Sequence, residues 1–255
     1  MKIYPKSQDN RVAEVDFLRG IAIICMVVFH WYYLLDIKTG SSTTSTVLIG
    51  GMGQIARVLF IFLVGVSVAL SKQKSVEKKE DKEKYLRRQG KRVLYLFGYG
   101  FLVILVTMYF YPDRYVRFGI LQYMGFALLL LSLFSYNMEP GSCMWGVPLL
   151  LGLVMYMVYV SVRDKVSGNV FEQFLLGARP DYRTMDIFPV CRYFWLSSLG
   201  LLVGSLLFKG GKGKYGSLGL ENNVLSGSIV WLGKYSLEIY LFHFVVIYVL
   251  QMKIR

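Results

Sequence analysis

An arginine stands eleven positions before a histidine on one apolar run, where Asp16-Phe17-Leu18-Arg19-Gly20 leads to Met26-Val27-Val28-Phe29-His30. At about 100° per residue those steps close nearly three helical turns, so Arg19 and His30 share a face, about 16 Å apart along the axis. Asp16 falls on almost the same stripe and can pair with Arg19 at i,i+3. A guanidinium oriented in this way suits phosphate. A neutral histidine, with an ordinary pKa near 6.5, is a usable general base. Such groups are costly inside a bilayer and mark pathways or reaction sites there. The stripe therefore predicts a polar lining from the mouth of the helix to mid-membrane. His30 and Asp16 are its catalytic candidates, and Arg19 is its anion-binding one.

The chain has only two histidines. The second, His243, lies in Ser236-Leu237-Glu238-Ile239-Tyr240-Leu241-Phe242-His243 and is a further catalytic candidate. Glu238 is five residues away and off its face; Lys234, at i,i+4, is the natural partner for that carboxylate. Gln122, in Arg117-Phe118-Gly119-Ile120-Leu121-Gln122-Tyr123-Met124-Gly125, sits one turn into its helix, where it can reach a ligand or a neighbouring helix. Arg57, Gln54 and Ser67 are further polar positions, and Arg57 is placed to snorkel.

These residues need helices to hold them. The chain is 255 residues long and 55% hydrophobic, too apolar for an ordinary soluble domain. Seven stretches are long enough to span a bilayer: 17–36, 52–71, 92–110, 118–135, 144–162, 191–208 and 230–250. The expected fold class is all-α, a single polytopic transmembrane bundle over 1–255 with a cytoplasmic N-terminus. The first apolar run carries Asp16 and Arg19 and lacks a small-residue cleavage site, so no cleavable signal peptide is expected.

The net charge of +13 is concentrated between the apolar runs, as the positive-inside rule produces. Ten Lys and Arg in 72–92, among Glu77, Glu80, Asp81 and Glu83, predict an exposed charged helix or disordered loop in the cytoplasm. Lys2, Lys6, Arg11, Lys209, Lys212 and Lys214 fall on the same side, while Lys253 and Arg255 fall outside. A re-entrant segment is most readily accommodated near 215–228. The outer face then carries 36–45, 112–117 and a long loop at 163–190. In those loops Asp113, Arg114, Arg117, Asp181, Arg183 and Asp186 are available for polar contacts, with Arg117, Asp186 and Gln122 the substrate-binding candidates.

Several functions lack their signatures. No interleaved aromatic and basic patch argues for nucleic acid. No Walker-type loop is present, and the Gly-rich 210–220 stretch has no strand–turn–helix context. Cys25, Cys143 and Cys191 are isolated, and no His, Cys or Asp cluster has metal-ligand spacing, so neither disulfide nor metal is expected. The lack of an obvious internal repeat argues against a transporter built on inverted repeats.

The run from Arg11 through Asp16, Arg19 and Gly20 to His30 resembles the opening of the transmembrane acyltransferases. This group includes the acyltransferase-3 proteins and the heparan-α-glucosaminide N-acetyltransferase catalytic domain with its short prokaryotic relatives. Phe60-Ile61-Phe62-Leu63-Val64-Gly65-Val66-Ser67, Phe118–Gly125, Asp186-Ile187-Phe188-Pro189 and Trp231–His243 are similar to later elements of those proteins, in order. There are two departures. The heparan-type enzymes place a histidine in the first extracytoplasmic loop, and 37–47 has none; many short relatives carry histidine where this chain has Gln122. The resemblance implies a multi-pass protein of the cell membrane that moves an acetyl group from acetyl-CoA to an extracytoplasmic acceptor, a sugar amine or hydroxyl. Arg19, Arg87, Arg88 and Arg92 would meet the phosphates of acyl-CoA, and His30 would act as base or acyl carrier. The bilayer is a partner, and exposed apolar helix faces admit a homodimer. The alternatives are a small-solute transporter or flippase, and a non-catalytic scaffold of the same fold.

Overall fold

The computed structural model describes residues 12–139, 142–208 and 223–253. The basic positions Lys2, Lys6, Arg11, Lys209, Lys212, Lys214 and Arg255, and the Gly-rich 210–220 stretch, lie outside the described residues. Among the described residues eight α-helices form: α1 (Ala13–Thr39), α2 (Val47–Glu77), α3 (Lys82–Phe110), α4 (Ile120–Tyr136), α5 (Val147–Val162), α6 (Val190–Leu207), α7 (Val224–Lys234) and α8 (Ser236–Lys253). A two-residue parallel pairing of β1 (Val166–Ser167) with β2 (Arg179–Pro180) lies in the long loop between α5 and α6. The fold is the expected all-α polytopic bundle.

All seven expected spans are helical, yet fewer cross by themselves. Among the described residues five helices are long and apolar enough, and the α7–α8 pair, bent by 83°, is a sixth if it is one broken span. Two corrections follow. The span expected at 118–135 starts only at Ile120, because Phe118 is extended and pairs with Ile187. The Phe188 amide donates to the Phe118 carbonyl at 2.9 Å. The 17 residues left to α4 reach about 26 Å, short of the roughly 30 Å hydrocarbon core. The expected straight span at 230–250 breaks after Lys234, so Lys234 and Glu238 do not share one straight helix. The charged 72–92 segment takes the helical of its two expected forms: α2 runs on to Glu77, α3 begins at Lys82, and Lys79 takes the left-handed φ of 49° that the tight turn between them needs.

The chain divides into two compact units, Met1–Arg57 with Lys212–Arg255, and Val58–Gly211. In the first, α1 packs on α7 and α8. Contact with α7 is backbone to backbone: a Cβ at Gly20 would lie 2.0 Å from the Ile229 carbonyl oxygen, and one at Gly233 would lie 1.7 Å from that of Asp16. Small residues allow such approach in membrane helices. At the other end, Lys38 donates to the Gln251 carbonyl at 2.6 Å and the Gln251 amide donates to the Trp31 carbonyl at 2.8 Å, tying α8 to α1. The Asp36 carboxylate gathers the loop that follows, accepting from Ser41, the Thr43 amide, and both the amide and the hydroxyl of Thr44.

In the second unit the Val58–Glu77 part of α2 meets α6 through glycine: a Cβ at Gly65 would lie 1.8 Å from the Ser197 carbonyl oxygen. Ser197, fully buried, donates to the Ile61 carbonyl and shares a 2.7 Å hydrogen bond with Tyr123 of α4. α3 packs on α4, and α5 packs on α6 with Gly152 against Trp195. The outer sides of α3 and α5 expose Phe101, Leu102, Leu105, Leu150, Val154 and Met157, a surface suited to lipid.

Gly233→Ala and Gly65→Ala should each force neighbouring backbone apart and cost at least about 1–3 kcal/mol, read as a lower melting temperature in detergent. Gly98→Ala, where an added Cβ meets nothing within 4 Å, should leave it unchanged.

Candidate functional site

The two histidines meet. His30 Nδ1 of α1 lies 3.2 Å from His243 Nε2 of α8, with ring centroids 4.9 Å apart. His243 is buried, and its Nδ1 lies 2.5 Å from the Tyr240 carbonyl one turn earlier. A carbonyl only accepts, so His243 Nδ1 carries the proton. In a neutral ring its Nε2 must then accept, which makes His30 Nδ1 the donor of the second bond. His30 Nε2 keeps its lone pair. The relay from Tyr240 through His243 to His30 thus fixes the tautomer of a neutral imidazole, with Nε2 as its basic nitrogen.

Aromatic rings hem the pair in. Phe29 and Phe244 stand edge-on to His30, and Tyr33 stacks on Phe29. Gly53, in the first turns of α2, lets that helix approach the Phe29 ring, where a Cβ would come within 2.7 Å. Arg57 follows one turn later on the same face, within electrostatic reach of His30, and donates to Gln54 at 3.2 Å. The expected snorkelling position is thus one that also acts on the histidine.

At the other end of α1, Arg19 Nη1 donates to the Asp16 carboxylate at 2.8 Å, the i,i+3 pair the spacing predicts. The carboxylate side chain is 5% exposed and the guanidinium side chain 27%, so the arginine keeps one side accessible. Asp16 acts on Arg19, and Gly20 beside it is filled by α7.

Arg87, Arg88 and Arg92 belong to the second unit. There the polar groups hold α2, α3 and α4 together. Arg88 forms an ion pair with Glu80 at 3.0 Å and donates to Ser71; Gln89 donates to the Ser71 hydroxyl and accepts from Arg92. Lys72 donates to the Tyr136 carbonyl at 2.9 Å, neutralising the C-terminal end of α4, and lies over the Tyr85 ring. Arg87 is exposed. Lys72, Gln89 and Tyr85 were not singled out in the sequence, since nothing in a basic run says which cation turns inward.

From the short loop before α4, the Arg117 guanidinium lies 3.4 Å above the centroid of the Tyr182 ring of the long loop, with Tyr115 at 5.1 Å. Tyr182 donates to buried Gln173, whose amide donates to the Ser167 carbonyl. Burial pushes the Tyr182 phenol above its ordinary range, against the pull of Arg117. Asp186 stands in the same region, its carbonyl accepting from Thr184, which also donates to the Tyr115 carbonyl. Gln122 Oε1 accepts the Gly119 amide at 2.9 Å and caps α4.

These features define a polytopic membrane protein with a paired-histidine contact between two helices and an oriented Asp–Arg pair on one of them. The sequence matches the family described as heparan-alpha-glucosaminide N-acetyltransferase, catalytic, over residues 11–245, and the chain belongs to that family. No curated protein and no solved structure gives a match. Membership makes it a multi-pass membrane protein of an acetyltransferase family.

Asp16→Asn should leave α1 intact and cost about 1–3 kcal/mol of stability, as a hydrogen bond between charged groups is replaced by a weaker one. A melting temperature equal to that of the unaltered protein would show that the pair contributes nothing.

Proposed function

We propose that this protein transfers an acetyl group from cytoplasmic acetyl-CoA to a sugar amine or hydroxyl presented at the outer face of the cell membrane. The observation that carries the reading is the tautomer relay ending in the lone pair of His30 Nε2. That nitrogen removes the proton from the acceptor as its oxygen or nitrogen attacks the thioester carbonyl. The C–S bond then breaks, and the coenzyme thiolate takes the proton back from the imidazolium. Attack by the same lone pair on the thioester would instead give an acyl-histidine, which the acceptor then discharges.

His243 is the positioning residue of this scheme: it holds the His30 ring and its tautomer. Asp16 aims Arg19, which is accessible on one side and suited to a phosphate of the donor. The bonds of Arg88 to Glu80 and Ser71 and of Arg92 to Gln89 favour a scaffolding role for those two, leaving exposed Arg87 as the freer cation of the basic segment. Arg117, with its tyrosine neighbours, and Asp186 are the proposed acceptor contacts; an aromatic and guanidinium surface suits a saccharide.

Incubation of the purified protein with radiolabelled acetyl-CoA and an amino sugar should transfer label. His30→Ala should lower the rate by about 10²–10⁴-fold, the usual contribution of a general base. A His30→Ala protein that works at the unaltered rate removes His30 from the mechanism. Acetyl-CoA binding without transfer would favour a scaffold, and solute uptake into vesicles without coenzyme consumption would favour a transporter.

A further inference from the structure

The face of α3 turned away from the bundle carries two kinds of surface in one line. Tyr85, Gln89 and Val93 lie on its buried face. Opposite them, at about 100° per residue, run Lys84, Arg87, Lys91, Tyr95, Gly98 and Leu102, all exposed. From Lys84 to Phe110 the chain has no carboxylate. Arg88 and Arg92 turn inward to Glu80, Ser71 and Gln89. Among the described residues Lys84, Arg87 and Lys91 form no ion pair and no side-chain hydrogen bond. Three cations are thus presented outward on one helix face with no anion of this chain to meet them.

The stripe changes character within one turn. Lys91 is its last cation, and Tyr95, one turn on, is 64% exposed. Tyrosine favours the level of the membrane–water interface, with its ring toward the hydrocarbon and its hydroxyl toward water. Two turns beyond Lys91, about 10 Å, stands Gly98. An added Cβ there would meet nothing within 4 Å, so the helix surface is notched between exposed Tyr95 and exposed Leu102. Cations, an interfacial ring and an apolar notch, in that order along one line, match the phosphate, the glycerol ester and an acyl chain of a phospholipid. A zwitterionic lipid would bring its own cation against the lysines. A soluble phosphate would leave the notch unused.

We propose that this face of α3 is a binding site for an anionic phospholipid, its phosphate held by Lys84, Arg87 and Lys91 and one acyl chain laid in the notch at Gly98. The basic end of α3 is cytoplasmic by the positive-inside rule, so the lipid belongs to the inner leaflet. The site lies wholly in the second unit and asks nothing of the histidine pair. Arg87 stays unaltered in the test, because it is also the cation proposed for the donor.

The test titrates the full-length protein in detergent micelles with dioleoylphosphatidylglycerol and reads the first bound lipid by native mass spectrometry. It should bind at least about tenfold more tightly than dioleoylphosphatidylcholine. Lys84→Gln with Lys91→Gln should weaken it about 20–30-fold, at roughly fivefold for each lysine near an anionic headgroup. Gly98→Leu, which fills the notch, should weaken it at least about fivefold, the scale of one or two methylenes kept from their contact. Lys78→Gln with Lys79→Gln, two exposed cations in the turn before α3, should stay within about twofold of the unaltered protein. A loss there as large as at Lys84 and Lys91 would mean diffuse attraction and overturn the site. Equal affinity for the two lipids overturns it as well, as does full affinity in the Lys84 and Lys91 variant. Full affinity in Gly98→Leu, or displacement of the lipid by millimolar glycerol 3-phosphate, would show a phosphate site without a chain and overturn the assignment to lipid.

Discussion

One hydrogen bond fixes the arrangement of protons in the histidine pair: His243 Nδ1 to the carbonyl of Tyr240. A helical carbonyl has a single role, and that role propagates. It decides which nitrogen of His243 is protonated, then which nitrogen of His30 is protonated, and leaves a lone pair at a defined atom of α1. α1 and α8 must approach closely enough for two rings to meet, and this is why Lys38, Gln251 and Trp31 bind the far ends of the two helices together. The bend after Lys234 gives α8 a direction of its own, distinct from that of α7, which lies flat on α1 through glycine.

Burial and polarity are reconciled differently in the two units. Around α1, the Asp16–Arg19 pair stands at the helix start and Asp36 and Lys38 at its end, and the imidazoles carry polarity between them. In the other unit, Lys72, Arg88, Gln89 and Arg92 are bound to carbonyls, hydroxyls and Glu80, so the basic segment becomes a joint between three helices. A cation that neutralises a helix C-terminus and lies over a tyrosine is a structural part, whatever sign the membrane face requires. The departure from histidine at position 122 is read in the same terms. Gln122 satisfies the first turn of α4 with one end of its amide.

Much of the helix content was legible because apolar length is a local property. Each of the seven apolar stretches is helical, and the Asp16–Arg19 pair follows from three residues of spacing. What was hidden depends on chain segments far apart. The late start of α4 comes from Phe118 pairing with Ile187, and the break in the last span follows a glycine pressed against Asp16; neither contact leaves a periodic trace. The meeting of His30 and His243 spans 213 positions, and the only hint was that the chain has no other histidine. The basic run showed how much charge lies between α2 and α3 but not which side chains turn inward, because a long cation can bury its stem and still find a carbonyl.

The central claim concerns protons, and two histidines in one chain make it directly measurable. Solid-state NMR of the protein carrying ¹⁵N-histidine, in bilayers at neutral pH, distinguishes protonated from bare ring nitrogens. The account predicts two neutral rings, both protonated at Nδ1, with the Nδ1 of one coupled through its hydrogen bond to the Nε2 of the other. A proton on Nε2 of His30 would contradict it, for the nitrogen assigned as base would then have no lone pair to use.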